Sequence, residues 1–255
     1  MKYLSYLTCL ALALLTTGCF EMLEDLYVNA DGSGKYQITI DMSGMFSDPF
    51  MGEMMKQGLQ EETGGESLEI DSLLTFTDLS DGELPPTLTD KDRDILNRTE
   101  LRMQMSESEE IGKFTISFPF ASFDELNEFN KTLAKMNEEG GQGGGMSGLM
   151  SGSTGFTGNE SLWDLSGRTL TRKVITSDPA ELMEEMGGEE MMDMVKMMMA
   201  DATFTSTYHL PGRVKKCTIP NAEVDGKNVS VSYNFLDAFE DEVPETGGTI
   251  KFKKN

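Results

Sequence analysis

Apolar and polar residues alternate along much of this chain. Tyr36, Ile38, Ile40 and Met42 are separated by Lys35, Gln37, Thr39 and Asp41. Leu101, Met103 and Met105 alternate with polar neighbours, as do Phe114, Ile116, Phe118 and Phe120. Successive side chains of a strand point to opposite faces, so a period of two specifies strands with one apolar and one polar face. Strands of that kind suit an antiparallel sheet covered on a single side. Leu23 to Val28 runs through Asn29-Ala30-Asp31-Gly32-Ser33-Gly34 into the Tyr36 strand as a hairpin, and Ser106 to Gly112 joins the Leu101 and Phe114 strands as an antiparallel pair. Leu73 to Leu79 reads as a further strand. Trp163 to Ile175 has strand character around Ser166-Gly167. Phe204, Ser206, Tyr208 and Leu210 share one strand face, and Val214, the run from Val229 to Phe235, and Ile250 with Phe252 complete a β-rich C-terminal part.

Helical spacing replaces alternation at four places. Asp48-Pro49 reads as an N-cap and first helical residue, followed by a stripe of Phe50, Met51, Met54, Met55 and Leu59. Thr89 with Asp92 forms a capping box for a short helix ending near Asn97. Ser122 with Glu125 forms a second, and Phe123, Leu126, Phe129, Leu133 and Met136 follow on one helix face. Asp178-Pro179, with Glu181, opens a helix running to about Ala200. Residues 138–160, rich in Gly, Ser and Thr, read as a flexible loop. The expected fold is α+β: an antiparallel sheet with amphipathic helices packed on one face. An internal echo adds to this. Ser47-Asp48-Pro49 precedes Thr75-Phe76-Thr77 by nearly the distance at which Ser177-Asp178-Pro179 precedes Thr203-Phe204-Thr205, which suggests a strand–helix–strand pseudo-repeat.

The first twenty residues carry an address. Lys2 supplies a positive charge, and Leu4 to Leu15 form an apolar run that falls short of the roughly 20 residues needed to cross a bilayer. Thr16, Thr17, Gly18 and Cys19 follow. This order resembles the bacterial lipobox, except that Thr16 stands where leucine is usual, with Leu15 one place earlier. The resemblance implies that residues 1–18 are a signal peptide and that the Cys19 thiol receives a diacylglyceryl group. Residues 19–255 would then be a single envelope domain, held to a membrane by its lipid. Two or more acyl chains hold a protein stably, at about 0.8 kcal/mol per buried CH₂. Phe20 follows the cysteine in place of the aspartate of inner-membrane retention, so the analogy favours the outer membrane. Glu21, Glu24 and Asp25 weakly resemble surface-export signals, and periplasmic and surface-facing orientations both stay open.

That address settles the thiol count. Of three cysteines, Cys9 leaves with the signal peptide and Cys19 is lipidated, so Cys217 has no partner and a packed core must supply the stability. Cys217 reads as a small, buried apolar residue. The formal net charge of −23 provides no basic footprint for nucleic acid. It equally disfavours binding to anionic lipid through surface charge.

The candidate chemistry is sparse. Met183, Met186, Met191, Met192, Met194, Met197, Met198 and Met199 crowd one expected helix. Thioethers are soft ligands for Cu(I), but most of these fall on one broad face opposite Glu185, Glu189, Asp193 and Lys196, the pattern of a core-facing helix or an apolar groove. Asn29 to Gly34 resembles the start of a calcium loop, yet its twelfth position is Ile40 where a bidentate Glu is needed, so it reads as a hairpin turn. His209 is the one histidine, which leaves no zinc site of ordinary ligand type, and nothing orients it toward Cys217 as a nucleophile pair. Phosphate loops, dinucleotide fingerprints and nucleophile elbows are missing from the sequence. The expectation is therefore a protein that is not an enzyme and uses no cofactor or metal.

Tyr208-His209-Leu210-Pro211-Gly212-Arg213-Val214, with Asp225-Gly226-Lys227-Asn228-Val229, the Asn29-to-Gly34 turn and Cys19, resemble bacterial envelope lipoproteins, including those with an LppM-like domain. The resemblance implies an α+β envelope domain with room for an apolar ligand. The expected function is a membrane-tethered structural or interaction module acting through envelope protein partners. The alternative is a carrier of lipid or another apolar ligand in a Met-lined groove.

Overall fold

A computed structural model describes residues 20–47, 52–53, 69–79, 84–140, 159–176, 200–234, 236–237 and 245–253. In chain order the elements are β1 (Glu21–Val28), β2 (Gly34–Asp41), α1 (Ser43–Ser47), β3 (Glu69–Leu74), α2 (Phe76–Leu79), α3 (Asp90–Asn97), β4 (Glu100–Ser106), β5 (Ile111–Phe120), α4 (Phe123–Gly140), β6 (Asn159–Ser166), β7 (Thr169–Thr176), β8 (Thr203–His209), β9 (Val214–Cys217), β10 (Glu223–Asp225), β11 (Asn228–Asn234) and β12 (Gly248–Phe252).

The α+β architecture holds, and the strands divide into two sheets. The larger has the order β10-β11-β8-β1-β2-β5-β4-β3, and the smaller has β6-β7-β12-β9. Every described pairing is antiparallel except β1 with β8, which lie parallel from Glu21↔Thr203 to Tyr27↔His209. The alternation read from sequence decides which face goes inside. Met22, Leu26 and Val28 of β1 are buried, as are Tyr36, Ile38 and Ile40 of β2. On this inner face lie the small sheet and α4. Phe118 of β5 stacks on Phe129 of α4 with ring centroids 4.5 Å apart, and Trp163 of β6 meets Tyr208 of β8 at 5.7 Å. Thr39, Thr115, Thr205, Thr207, Ser230 and Ser232 populate the other face and pair across strands.

Two glycines make close approaches. A Cβ on Gly34 would sit 2.0 Å from the Tyr27 carbonyl oxygen and 2.4 Å from the Phe120 ring. At Gly212, where the chain passes from β8 in the large sheet to β9 in the small one, a Cβ would lie 1.8 Å from the Lys253 carbonyl oxygen.

Capping chemistry places the helices and corrects one boundary. The expected strand from Leu73 to Leu79 ends at Leu74. Asp78 accepts from the backbone N–H and hydroxyl of Thr75, and its own N–H bonds back to the Thr75 hydroxyl. That reciprocal cap turns the chain into α2. The Thr75-Phe76-Thr77 half of the sequence echo therefore begins a helix beside an edge strand, whereas Thr203-Phe204-Thr205 lies in β8 inside the large sheet. Of the Asp48 helix only Gly52 and Glu53 are described, both helical, and the Asp178 helix lies outside the described residues. The Thr89–Asp92 capping box opens α3 as expected. At α4 only half of the second box forms: the Ser122 hydroxyl accepts from Glu125 N–H, while the Glu125 carboxylate reaches Ala121 N–H instead of its cap residue. The loop expected over 138–160 is shorter, because α4 runs to Gly140 and β6 begins at Asn159. Residues 141–158 lie outside the described residues.

Asp92 does more than cap α3. It is buried and also accepts from the Thr132 hydroxyl at 2.8 Å and from Lys135 Nζ at 2.9 and 3.0 Å, bolting α3 to α4. Burial works to raise its pKa, but the hydrogen bonds from Thr89, Lys135 and Thr132 outweigh it and hold the carboxyl well below the usual carboxylate range. From the other side of α4, Asn127 treats edge strand β6 as a neighbouring strand would. Its Oδ1 accepts from Trp163 N–H and its Nδ2 donates to the Trp163 carbonyl, both at 2.8 Å, and Asn130 donates to the Ser161 carbonyl. Covering an edge in this way removes a template for aggregation.

Two predictions follow the helix contacts. Asn127→Leu leaves a backbone donor and acceptor of β6 unpaired and should cost about 1–3 kcal/mol in urea unfolding. Hydrogen exchange should quicken at the Trp163 amide while the β1–β2 ladder keeps its protection. Asp92→Asn should cost about 1–3 kcal/mol at pH 7. Because the folded pKa is lowered, the Asp92 contribution is complete above the ordinary carboxylate value of about 4 and is lost as pH falls toward the folded one. The stability gap between wild type and variant should therefore narrow below about pH 4; a gap that widens there contradicts the assignment.

Candidate functional site

Cys19, the expected lipidation site, lies outside the described residues, and its neighbour Phe20 is the first residue described. The Phe20 side chain is 3% exposed within the core, and its carbonyl accepts from Thr203 N–H at 3.1 Å. Strand β1 starts at the next residue. No spacer therefore separates Cys19 from packed, hydrogen-bonded structure.

Four residues into β1, the apolar inner face is interrupted by Glu24, 4% exposed. Opposite it in the small sheet, Arg172 of β7 is 7% exposed and occupies the inner position next after Leu170. The guanidinium reaches across the sheets to Glu24 Oε2 at 2.7 Å and Oε1 at 3.3 Å. It also donates to the hydroxyls of Ser161, Ser206 and Tyr208, at 2.9–3.0 Å. Tyr36 donates to Glu24 Oε1 at 2.6 Å, and the Ser206 hydroxyl makes a short bond to Glu24 Oε2. The Trp163 ring covers the cation at 4.8 Å. Burial alone would lower the Arg172 pKa, but the Glu24 charge, with Tyr208 and Tyr36, drives it up instead, so the guanidinium stays charged. The Tyr36 hydroxyl is pushed well above its ordinary pKa by burial and by Glu24. This cluster is closed to solvent and, apart from the buried Trp163 Nε1, which has no hydrogen-bond partner, its polar groups are bonded to one another; its chemistry is that of a clamp between the two sheets.

The acids read from sequence as export signals thus have other partners: Glu24 holds Arg172, and Asp25 holds His209 Nε2 at 2.7 Å. His209 lies on the polar outer face, stacked on Tyr27 with centroids 4.2 Å apart, and Lys35 Nζ sits 4.9 Å above that tyrosine ring. Cys217 is elsewhere, in β9 of the small sheet opposite Ile250 and half-buried, so the two are not brought together as a nucleophile pair. The Asn29-to-Gly34 segment is the expected hairpin turn. Asp31 Oδ1 accepts from the N–H and hydroxyl of Ser33, and Gly32 takes a φ of 90°. Those bonds hold the Asp31 carboxyl below its ordinary pKa. The Met183-to-Met199 stripe lies outside the described residues.

An open cleft of about 370 Å³ lies at this turn end of the sheet. It is lined by Asp31, Gly32, Ser122, Phe123, Asp124 and Asp164 with their neighbours. Its walls are largely polar and acidic.

The chain matches no family model and no curated protein. Among solved structures it is similar to the NMR structure of the folded domain of LppM from Mycobacterium tuberculosis. Identity is 10%, the match covers 94% of this chain and 93% of that one, and the TM-score is 0.39. The loose LppM-like resemblance of the turn sequences is thus met by a loose structural one, and a likeness at this level carries no functional argument.

The clamp generates a prediction. Arg172→Met leaves Glu24 buried without its countercharge and should cost about 3–5 kcal/mol. Replacing both residues by Met removes both charges, so the double variant should be more stable than Arg172→Met alone. Urea unfolding of the three proteins checks this; a double variant no better than the single would show that the charges are not coupled.

Proposed function

We propose that this protein is a membrane-tethered lipoprotein of the bacterial cell envelope, anchored in the outer membrane through lipid on Cys19, and that it is a non-catalytic module acting through protein partners. The observation that carries the reading is that the expected cut falls directly before packed structure. The lipobox-like order places the cut between Gly18 and Cys19, and Phe20, one residue further, is buried and hydrogen-bonded to Thr203. A cut there keeps every described residue in the mature chain. The buried charges support a structural role, since Glu24 and Arg172 serve each other and their hydroxyl neighbours. A partner is favoured over an apolar cargo because Phe118, Phe129, Tyr208 and their neighbours fill the space between the sheets. The cleft beside the Asn29 turn is polar as well.

Cys19→Ser should shift the protein from the membrane to the soluble fraction and remove the acyl mass seen on the wild type by mass spectrometry. The body should still fold, because the exchange of one atom at Cys19 leaves every described contact in place. A variant that stays in the membrane and is still processed after Gly18 overturns the reading.

A further inference from the structure

Cations on the outer face of the large sheet are matched by acids. Lys113 of β5 stands directly opposite Asp41 of β2 and pairs with it at 2.6 Å, and Arg102 of β4 pairs with Asp71 of β3 at 2.8 Å. The small sheet departs from this. Along β12, Ile250 and Phe252 are buried, so Lys251 between them turns to the solvent face. Its partner on β9 is Lys216. The register shifts between Lys251 and Phe252, so that Lys215 and Lys216 both fall between Val214, opposite Phe252, and Cys217, opposite Ile250. Like charges directly opposite each other destabilise a sheet. Three further cations adjoin through the backbone: Lys253 N–H donates to the Arg213 carbonyl at 2.8 Å, and Phe252 N–H donates to the Arg168 carbonyl at 3.1 Å. Arg168, Arg213, Lys215, Lys216, Lys251 and Lys253 are all exposed, and none makes an ion pair among the described residues. Glu223 and Asp225 of nearby β10 leave them unpaired as well, although Val214 N–H reaches the Gly226 carbonyl.

An acidic surface borders this basic strip. Asp164 of β6 is in register with Thr171 of β7, and Thr171 with Thr249 of β12. By the period of two, Asp164 shares the solvent face with Lys251, two strands away, or about 10 Å at the usual strand spacing. Asp164 also lines the open cleft with Asp31 and Asp124, and so does Gly167, the neighbour of Arg168. Exposed acids and exposed cations therefore meet at the β6–β7 turn. A surface that carries the two signs side by side is complementary to itself. A twofold rotation lays the basic strip of one copy on the acidic cleft of another, and does so twice.

We infer that this surface joins two copies of the chain, with the strip around Lys216 and Lys251 of one copy set against Asp31, Asp124 and Asp164 of the other. This rests on the reading of a module that acts through protein partners and deepens it by naming the partner. The strip selects an acidic surface, and a chain of net charge −23 with a concave acidic surface at the strip's own border supplies one. A membrane of anionic lipid fits less well, because it attracts the strip and repels the acids beside it. Exposed ion pairs are individually weak, so the association depends on several forming together. Repulsion between the two acidic bodies is screened beyond about 8 Å at physiological ionic strength, which leaves the charges in contact to decide. Confinement to a membrane by lipid raises the effective concentration of copies.

The test is sedimentation of the full-length lipidated protein in an excess of neutral detergent micelles. Dimers at about 0.15 M salt that dissociate at about 1 M are expected. Lys216→Glu/Lys251→Glu protein should be monomeric, and so should Asp124→Lys/Asp164→Lys protein, because each sets like charges against like. Mixed in equal amounts, the two should dimerise again, since each then offers the other the opposite sign at both contacts. Asp124→Asn/Asp164→Asn protein, which adds no charge and disturbs folding least, should dimerise at least about tenfold more weakly than wild type. A wild type that stays monomeric, dimers that survive both reversals, or reversed variants that stay apart when mixed overturn the inference and leave the tether standing. A monomer that prefers micelles doped with phosphatidylglycerol, and loses the preference with Lys216→Glu/Lys251→Glu, gives the strip to a lipid surface and overturns it too. Protein without acyl mass on Cys19 overturns the tether reading instead, and its sedimentation still decides the dimer.

Discussion

Arg172 and Glu24 meet in the space between two sheets that have no described strand-to-strand pairing with each other. A long-range pair of this kind does what apolar contact does less selectively: it fixes the position of β7 over β1. Breaking a buried pair costs more than the pair contributes over an apolar substitute, because the remaining charge has no solvent to relax into. The neighbouring hydroxyls make the position specific. Tyr36 comes from β2, Ser206 and Tyr208 from β8, and Ser161 from β6, so three further strands contribute a partner. Sliding the small sheet by one residue would orphan several of these at once.

The periphery of the fold follows from where the clamp puts the small sheet. With β7 over β1, edge strand β6 faces α4, and the side-chain amides of Asn127 and Asn130 take the place of a strand ladder. Helix α4 is fixed in turn by Asp92, which caps α3 with one set of hydrogen bonds and holds Thr132 and Lys135 with another. At the opposite corner Gly212 lets the chain cross from β8 to β9 against the Lys253 backbone. The route from clamp to edge to helix to cap is a chain of polar contacts laid over an apolar core.

Much of this was legible in the residues. Alternation of period two identified the faces of β2, β5 and β8, and the capping box at Thr89 placed α3. Thr75 misled because its cap partner, Asp78, lies three residues on within an apparent strand, and a short reciprocal cap outweighs weak alternation. Glu24 was read only as one of three acids near the chain start; read by strand position, it shares a face with Met22 and Leu26. Arg172 repeats the pattern beside Leu170. Two opposite charges, each on an otherwise apolar strand face, are a visible signal of a buried pair, although the sequence does not say that they meet. Nor does it reveal that β1 and β8 lie parallel, since a parallel pair needs a long crossover whose path alternation cannot trace.

That parallel pairing also sets the route of the chain. A meander of hairpins would place each strand antiparallel to the one before. Here β8 returns beside β1 in the same direction, so the chain has to come back to the Glu21 end before starting it. Thr203, which opens β8, therefore stands beside Glu21, and its N–H reaches the Phe20 carbonyl where that side chain enters the core. The start of β1 is thus held by the parallel pair on one side and by Asp41, at the end of β2, on the other.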